Sequence, residues 1–478
     1  MASRNLACAA CAVAPLLVAG CSSPFDQSDI SRSFERTAPE GVRDAPLSRY
    51  RDETESPAVA PSLSETASPN EYIRFALYHS PEVEAAYQRW RVASERLPQV
   101  SALPDPRIAF GYYIEEVQTR TGPQEARIGV EQTFPWLGTL QDREDAAAKA
   151  AMAAWREFEA VRLTVAERVV TTLHDLAYLD GTIAITRENL ELLRSFEEVL
   201  RARYRVGAGS HPELIRVQVE LGQVEDRVTQ LEAMRPPYVA ELNAALNRPM
   251  DAEVPRAVHI EGRITSVDAT ELSEIARRRN PVLLALDEEI EQQRYLGDVA
   301  RKEGLPDLTV GLDYVFTGDA INPMTPGSGD DPILLRFGIN VPLWRDKYDA
   351  GVREAMARRL AVAHERADRA NRIAASIQRA WFEHTDANRR VGLYENTLIP
   401  KAEESLRASL AGFRAGDASF LDLLDTERTL LEFEVAAERA RADRGKALAR
   451  LNTLVGEPVP TTPAENAGTP IDANEVEP

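Results

Sequence analysis

The sequence predicts an α+β membrane protein that is built mainly of long antiparallel α-helices and contains an internal duplication. Three observations carry this prediction. The stretch from Leu140 to Arg205 contains no proline and one glycine, which favours a single helix of about 65 residues and roughly 100 Å. Four shorter segments alternate apolar and polar residues, which is the period of a β-strand. A series of sequence landmarks also recurs, in the same order, about 200 residues later.

The composition excludes several classes of protein. The 478 residues include 56 Lys and Arg against 76 Asp and Glu, a formal net charge of −20, whereas a nucleic-acid partner would require a basic face. Hydrophobic residues at 44% and charged residues at 28% exclude a disordered chain and a polytopic helical membrane protein. Cys8 and Cys11 lie in the apolar N-terminus and leave Cys21 as the only other cysteine. Neither a disulfide framework nor a thiolate metal site is therefore expected.

The N-terminus is predicted to be a targeting signal over residues 1–20. A positively charged start and an uncharged stretch lead to Leu17–Cys21, which resembles the signal of bacterial lipoproteins. The resemblance implies that Cys21 is acylated, and Ser22 is typical of lipoproteins sent to the outer membrane. Residues 21–69, which are rich in Ser, Pro, Asp and Glu, are predicted to form an acylated tether without a core of its own. An ordinary cleaved signal is the alternative.

The rest of the chain is predicted to consist of two copies of one unit, residues 70–256 and 268–460, and a disordered tail at 461–478. Each copy is too long for a small solenoid repeat. The matched landmarks are Ser80–Val83 with Asn280–Leu283, Leu103–Asp105 with Leu305–Asp307, Thr133–Trp136 with Asn340–Trp344, Arg205–Gly207 with Arg414–Gly416, and Leu246–Pro249 with Leu454–Pro458.

Each copy begins with a helical stretch, 71–97 or 271–303, and continues with two alternating segments. The apolar residues on every second position are Ile108, Phe110, Tyr112 and Ile114, Ala126, Ile128 and Val130, Leu308, Val310, Leu312, Tyr314 and Phe316, and Ile333, Leu335, Phe337, Ile339 and Val341. Runs of about ten residues with this period suit strands that cross a bilayer with one face to lipid. Two half-buried hairpins of a soluble α+β domain remain the alternative from the strands alone.

The long helix of the first copy carries two apolar seams side by side. Two seams indicate packing against neighbours on both sides, as in a closed helical barrel rather than a simple pair. A return helix follows with heptad spacing from Leu214 to Leu231, and Pro236–Pro237 are predicted to kink or break it. The second copy repeats the pattern, with a long helix predicted over 348–414 and its return over 420–454.

The lipoprotein signal, the duplicated helix–hairpin–helical hairpin units and the Pro-Trp elbows between strand and helix resemble the TolC-type outer-membrane efflux factors over about residues 70–460. The resemblance implies three protomers, each giving four strands to a shared 12-stranded transmembrane β-barrel and four helical strands to a trimeric periplasmic α-barrel. A homotrimer is also a physical requirement of this interpretation, because a sheet in lipid cannot leave its edges unpaired. Phe134-Pro135-Trp136, followed by Gly138, is similar to the heavy-metal branch of the family.

The resemblance implies a lipid-anchored exit duct in the cell outer membrane with a periplasmic extension. It would passively conduct small substrates, including metal cations, from an inner-membrane pump of the RND type and a periplasmic adaptor, without a cofactor. The duct of a type I protein secretion system and a periplasmic coiled-coil scaffold lipoprotein are the alternatives. An enzyme is not expected, because the sequence has no Gly-x-Ser-x-Gly elbow and no nucleotide-binding glycine loop before a helix. The six histidines form no pair at metal-ligand spacing.

The elbows are expected where strands become helices. The resemblance places Pro135, Trp136, Pro342 and Trp344 at the inner membrane–water boundary, where amphipathic rings are favoured. Ordinary core packing of the two tryptophans is the alternative.

The tips of the helical hairpins are expected to be the ends furthest from the outer membrane. The resemblance implies that they contact the adaptor through Arg205, Gly207, Gly209, Arg414 and Gly416. The glycines suit a tight turn that needs positive φ. A plain helix reversal with solvated arginines is the alternative.

Asp422 and Asp425 are three residues apart, which puts both on one face of the second return helix. The resemblance implies that these aspartates ring the narrow periplasmic entrance, with Glu213 as an acidic residue of the opposing helix. Three copies would bring six aspartate carboxylates together and favour cations; solvated surface residues are the alternative. Phe413 and Ala418 replace a tyrosine and an arginine of the best-known family pattern, which argues against the same locked gate.

Overall fold

The computed structural model describes residues 62–64, 67–207, 209–255, 260–322 and 324–464. The predicted signal, Cys21, almost all of the tether and nearly all of the C-terminal tail lie outside the described residues. In the part of the chain that is described, no helix has both the length and the apolar character needed to cross a bilayer.

The two halves of the chain fold as similar series of helices and strands. The first half contains, in order, α1 (Pro69–His79), α2 (Pro81–Ser94), α3 (Arg96–Ser101), β1 (Arg107–Thr119), β2 (Gly122–Phe134), α4 (Thr139–Arg205) and α5 (His211–Ala245). The second half contains β3 (Arg263–Ile264), α6 (Ala269–Arg279), α7 (Pro281–Lys302), β4 (Leu308–Thr317), β5 (Ile333–Ile339), α8 (Arg345–Leu393), a π-helical turn (Tyr394–Leu398), α9 (Ile399–Ala415), α10 (Phe420–Val455) and β6 (Thr462–Pro463). Each half runs from short helices through a strand pair into a long helix and its return.

The opening helical stretch that the sequence predicts in each half is present and is divided into shorter helices. Ser80 and Asn280 adopt extended backbone and cap the helix that follows. Pro81 and Pro281 come next, and a proline suits the first helical position because its missing N–H would have no intrahelical partner there. The predicted helical stretch therefore begins a new helix at the proline in both halves.

The four longer strands form one antiparallel sheet in the order β1-β2-β4-β5. β2 and β4 come from different halves and pair from Ala126 with Phe316 to Phe134 with Leu308. The two predicted hairpins are thus joined at the centre of one sheet, and β1 and β5 form its edges. The short strands β3 and β6 pair separately.

The helix α4 is the centre of the helical part, since it packs against α2, α5, α7 and α10. Both of its apolar seams are buried: Val169 and Leu176 lie on one, and Leu163 and Leu173 on the other. This burial confirms the predicted packing on both sides of the long helix. Residues 155–176 of α4 belong to a core shared with α1, α2 and α5, which we call the upper core. Residues 190–200 of α4 belong to a core shared with α5, α9 and α10, which we call the lower core.

The helix α5 continues through Pro236 and Pro237, so of the predicted kink or break the break is wrong, and the kink stays a prediction. The helix is held on both sides of the prolines. Arg235 donates to Asp180 of α4 at 2.8 Å, and Leu242 is fully buried in the upper core. These tertiary contacts compensate for the backbone hydrogen bonds that the prolines remove.

Candidate channel wall, elbows and helical tips

One face of the sheet is apolar and uncovered. Strand register places directly paired residues on the same face, and two such rows cross the whole sheet: Ile108–Val130–Leu312–Leu335 and Phe110–Ile128–Tyr314–Ile333. Phe110 is 69% exposed and Phe337 is 70% exposed. An apolar surface of this extent is typical of contact with lipid or with another protein.

The opposite face carries a network of charges that links all four strands. Arg107, Glu131, Gly311 and Arg336 are neighbours in one row. Glu131 lies 3.6 Å from both arginines, and Arg336 also pairs with Asp313. Gly311 has no side chain, which lets Arg336 reach across β4 to β2. The sheet therefore has one apolar and one charged face, as a wall between lipid and water requires.

The elbows lie where the sequence predicts them, between β2 and α4 and between β5 and α8. Trp136 is 41% exposed and Trp344 is 75% exposed, so neither is packed in the protomer core. Sequence reasoning missed the link between the two elbows. Asp307 accepts a hydrogen bond from the Trp136 backbone N–H at 3.1 Å, and its own backbone N–H donates to Asn340. Asp307 belongs to the Leu-Pro-Asp landmark that recurs in both copies, and this recurrence was the sequence signal that could have pointed to its role.

The tips reverse at glycines that play different parts. Gly207 has φ 73° and Gly416 has φ 90°, as the sequence predicts for a tight turn. Gly209 does not have positive φ, so that part of the prediction is wrong. A Cβ at this position would lie 3.1 Å from the Cβ of Arg203. Gly209 therefore provides space for the approaching helix end rather than an unusual backbone conformation.

The two tips are tied together by Arg203 and Phe413. Arg203 donates to the Phe413 carbonyl oxygen at 2.8 Å, and its guanidinium lies 4.6 Å from the centre of the Phe413 ring. The ring packs against Phe420, with ring centres 6.0 Å apart. Arg205 and Arg414 are exposed and form no ion pair within the described ranges. They are therefore available to a partner from outside the chain.

Two of the three predicted gate residues have a local role. Glu213 and Asp422 each stand three residues after a serine, Ser210 or Ser419, and form a capping box that satisfies backbone N–H groups at the start of α5 and α10. The two boxes are equivalent positions of the duplication. The Ser-x-x-acid pattern was the signal that sequence reasoning missed.

Asp425 lies one turn further along α10 and takes no part in the cap. Asp422 and Asp425 are both exposed, while Leu423 and Leu424 between them are buried in the lower core. The aspartates therefore share the face that points away from the protomer. Glu213 lies at the start of α5 in the same tip region.

The described residues contain no group of three or more His, Cys, Asp or Glu side chains that could hold a metal ion. The described arrangement offers an apolar sheet face, an opposed charged face and an acidic tip. These features suit conduction of a solute.

Comparison with known proteins finds a matching family and several relatives. The family described as outer membrane efflux protein matches residues 72–248 and 272–457. Nodulation protein T of Rhizobium leguminosarum bv. trifolii is 22% identical over 408 residues, which cover 80% of this chain and 84% of the relative. The cobalt-zinc-cadmium resistance protein CzcC of Cupriavidus metallidurans is 20% identical over 342 residues, which cover 70% of this chain and 77% of the relative.

The fold has solved counterparts. The outer membrane protein VceC of Vibrio cholerae superposes with a TM-score of 0.67 at 18% identity, covering 82% of this chain and 97% of that chain. The likeness shows that both proteins share the α+β fold of long helices with a small sheet.

Proposed function

The chain belongs to the outer membrane efflux protein family, and we propose that it works as a homotrimeric exit channel of a tripartite efflux system. The four-stranded sheet carries this proposal. Its apolar face is exposed, and its edge strands β1 and β5 each pair with one strand in the described part of the protomer. Unpaired backbone groups in lipid cost several kcal/mol each. Pairing β5 of one copy with β1 of the next removes every edge, and three copies give twelve strands.

The helices support the same assembly. Two large apolar residues of α8, in the long hairpin of the second half, are uncovered. Leu360 is 61% exposed and Phe382 is 63% exposed. A neighbouring protomer would cover them and continue the side-by-side packing that α4 has inside one chain. This arrangement would form a periplasmic α-barrel below the sheet. The exposed apolar sheet face argues against a coiled-coil scaffold, which would leave that face without a role.

The remaining components of the system are separate proteins. We infer that a periplasmic adaptor contacts the tips at Arg205, Gly207, Gly209, Arg414 and Gly416, because the two arginines are exposed there and unpaired within the described ranges. An inner-membrane pump of the RND type would deliver small substrates. The name of CzcC, a cobalt-zinc-cadmium resistance protein, makes metal cations the cargo class to test first. The proposed role needs no catalytic group.

The position in the outer membrane would be fixed in two ways. We propose that Cys21, which lies outside the described residues, carries acyl chains that anchor the N-terminus. The exposed rings of Trp136 and Trp344, together with Pro135 and Pro342 beside them, would lie at the inner membrane–water boundary. The anchor and the elbows would act at the same membrane surface.

The entrance is proposed at the tips. Asp422 and Asp425 face away from the protomer, so three copies would place six carboxylates around one opening, with Glu213 nearby. Clustered carboxylates concentrate cations at a pore mouth.

Native mass spectrometry of the full-length protein in mild detergent tests the central proposal. We expect a single species at three times the protomer mass, and a circular dichroism spectrum dominated by helix. A stable dimer or monomer would contradict the assembly, because two copies supply eight strands and leave the wall with the wrong closure.

A further inference from the structure

The lower end of α10 contains a buried carboxyl group that the proposed channel does not use. Glu427 is 1% exposed, and its Oε1 atom has no hydrogen-bond partner within the described residues. It lies one turn after Leu423 and Leu424, which belong to the lower core of α4, α5, α9 and α10. A carboxyl group in such a place is costly in its ionised form.

The charges around Glu427 do not compensate for ionisation. The neighbouring guanidinium of Arg428 donates to Glu220 of α5 at 2.9 Å and contacts the second Glu220 oxygen as well. Glu434 lies on the same helix and is itself close to Glu188 of α4 and Glu403 of α9. Arg428 is thus engaged by Glu220, and the other charged groups that act on Glu427 among the described residues, Glu220 and Glu434, are carboxylates.

Burial, and to a smaller extent the Glu220 carboxylate, raise the pKa of Glu427 from 4.5 to about 7. The group is therefore neutral in mildly acidic surroundings and ionises near neutrality. The equivalent position in the first half is Gln218 of α5, which is exposed and donates to Glu197 at 3.0 Å. The duplication thus offers a natural neutral counterpart at this site.

We propose that Glu427 is a proton-controlled latch that holds the lower end of α10 against α5 when neutral and loosens it when ionised. An ionised Glu427 has to leave the core or compete with Glu220 for Arg428, and either change weakens the contact between the two helices. The same end of α10 carries Asp422 and Asp425. An effect of the latch on conduction therefore rests on the proposed entrance, whereas the loosening itself does not.

The direction of the pH effect follows from linkage. The stabilising effect of the neutral group is fully present below pH 4.5, the ordinary pKa, and is lost as the pH rises through about 7. Each Glu427 exchanges one proton, so the opening equilibrium of α10 should increase by at most about tenfold per pH unit up to the midpoint and level off above it.

The test compares the full-length protein in lipid with two matched variants. Glu427→Gln keeps the size of the side chain and removes its ionisable carboxyl group. Glu432→Gln makes the same change at an exposed position of the same helix. Infrared difference spectroscopy should show a protonated carboxyl band that disappears with a midpoint near pH 7 and is missing in Glu427→Gln. The amide exchange rate of residues 420–430 is divided by the rate in Glu427→Gln at the same pH. This ratio should rise from pH 5 and level off above pH 7. Glu432→Gln should behave as the unsubstituted protein.

Two outcomes overturn the latch: a carboxyl band that Glu427→Gln leaves unchanged, or an exchange ratio that stays at one throughout. Conductance in planar bilayers separates the latch from the entrance. If the band titrates and α10 loosens while conductance and cation preference remain constant with pH, the latch stands and the placement of the entrance at Asp422 and Asp425 is wrong.

Discussion

The long helices that lead from the sheet to the tips are α4 in the first copy and α8 with α9 in the second. They differ most in the halves that lie nearest the tips. α4 runs for 67 residues without interruption, and its lower half buries Leu193, Phe196 and Leu200. The second copy is interrupted by the π-helical turn and continues as α9, where Ala402 and Phe413 are the buried residues. Gly207 and Gly416 are matched positions of the duplication. When the two helices are aligned on these glycines, the three large apolar residues of α4 correspond to Ala402, Ser405 and Ser409 of α9.

This difference shows how packing shapes two copies of one sequence. The lower half of α4 has neighbours on both sides within the chain, α5 and α10, whereas the main contacts of α9 are with α10 and the π-helical turn. A helix with a single internal neighbour buries one stripe and keeps small or polar residues elsewhere. The π-helical turn and Pro400 just after it locally weaken the backbone ladder of the less buried helix. We therefore expect the tip region of the second copy to yield more readily than that of the first.

The strongest test of this comparison is truncation at equivalent positions. Leu200→Ala removes a side chain that is 2% exposed and should cost about 2–5 kcal/mol of unfolding free energy. Ser409→Ala, its counterpart in α9, should cost less than about 0.5 kcal/mol, since its hydroxyl contacts Thr426 only at 3.4 Å. Urea unfolding of the purified protein followed by circular dichroism measures both. Equal losses would contradict the contrast between the two helices.

Two buried histidines offer a second test, through pH. His174 of α4 packs against Gly445 of α10, and His384 of α8 hydrogen-bonds the Arg444 carbonyl oxygen beside it at 3.1 Å. Burial lowers the pKa of His174 from 6.5 to about 4 and lowers the pKa of His384 as well.

A lowered histidine pKa means that stability is present above pH 6.5 and is lost as the pH falls towards 4. For His174 the loss is at most about 3.5 kcal/mol, at about 1.4 kcal/mol per pH unit. The difference in unfolding free energy between the unsubstituted protein and His174→Gln should therefore shrink from pH 7 to pH 4. A constant difference would show that the pKa of His174 is the same in the folded and unfolded states, so that burial does not lower it.

Glycines of the two return helices provide the third test. A Cβ at Gly445 of α10 would overlap the His174 ring, whereas Gly222 of α5 has nothing within 4 Å. Gly445→Ala should destabilise the protein by about 1–3 kcal/mol through overpacking. Gly222→Ala should stabilise it by up to about 1 kcal/mol, because alanine favours an exposed helix interior. Thermal unfolding in detergent gives both signs, and a loss at Gly222 would indicate that this face of α5 is covered.

The smallest effect is expected at the two capping boxes. Glu213→Ala and Asp422→Ala should each cost about 1 kcal/mol, because each removes the acid that satisfies the cap backbone N–H. Asp425→Asn leaves the box intact and should leave stability unchanged while it lowers cation preference in planar bilayers. If Asp425→Asn leaves ion preference unchanged, the acidic entrance has to be placed elsewhere.

Local pattern predicted much of this fold because the relevant information is periodic. The alternation in β1, β2, β4 and β5 and the seams of α4 are repeated many times, so single irregular residues do not hide them. The predictions failed where one contact decides the outcome. α5 passes through Pro236 and Pro237 because α4 holds it on both sides, and Gly209 is needed for space rather than for φ.

The candidate site was predicted less completely for the same reason. The role of the acidic tip residues at an entrance stays a prediction, and the cap formed by Asp422 was missed although its pattern is local. Glu427 could not have been selected from the sequence. Its burial depends on the packing of α10 in the lower core and on the pairing of Arg428 with Glu220, which lies 208 positions away.

The unequal edge strands of the sheet have a mechanical consequence. β1 has 13 residues and β5 has 7, while β2 and β4 pair along almost their whole length. In the proposed trimer each boundary between protomers would be closed by β5 against β1, and β5 also limits the joint with β4 inside the protomer to seven residue pairs. Lateral tension in the membrane would load all joints alike, and the joints on either side of each β5 would yield first. The strength of the whole wall would then be set by its shortest strand rather than by the average one.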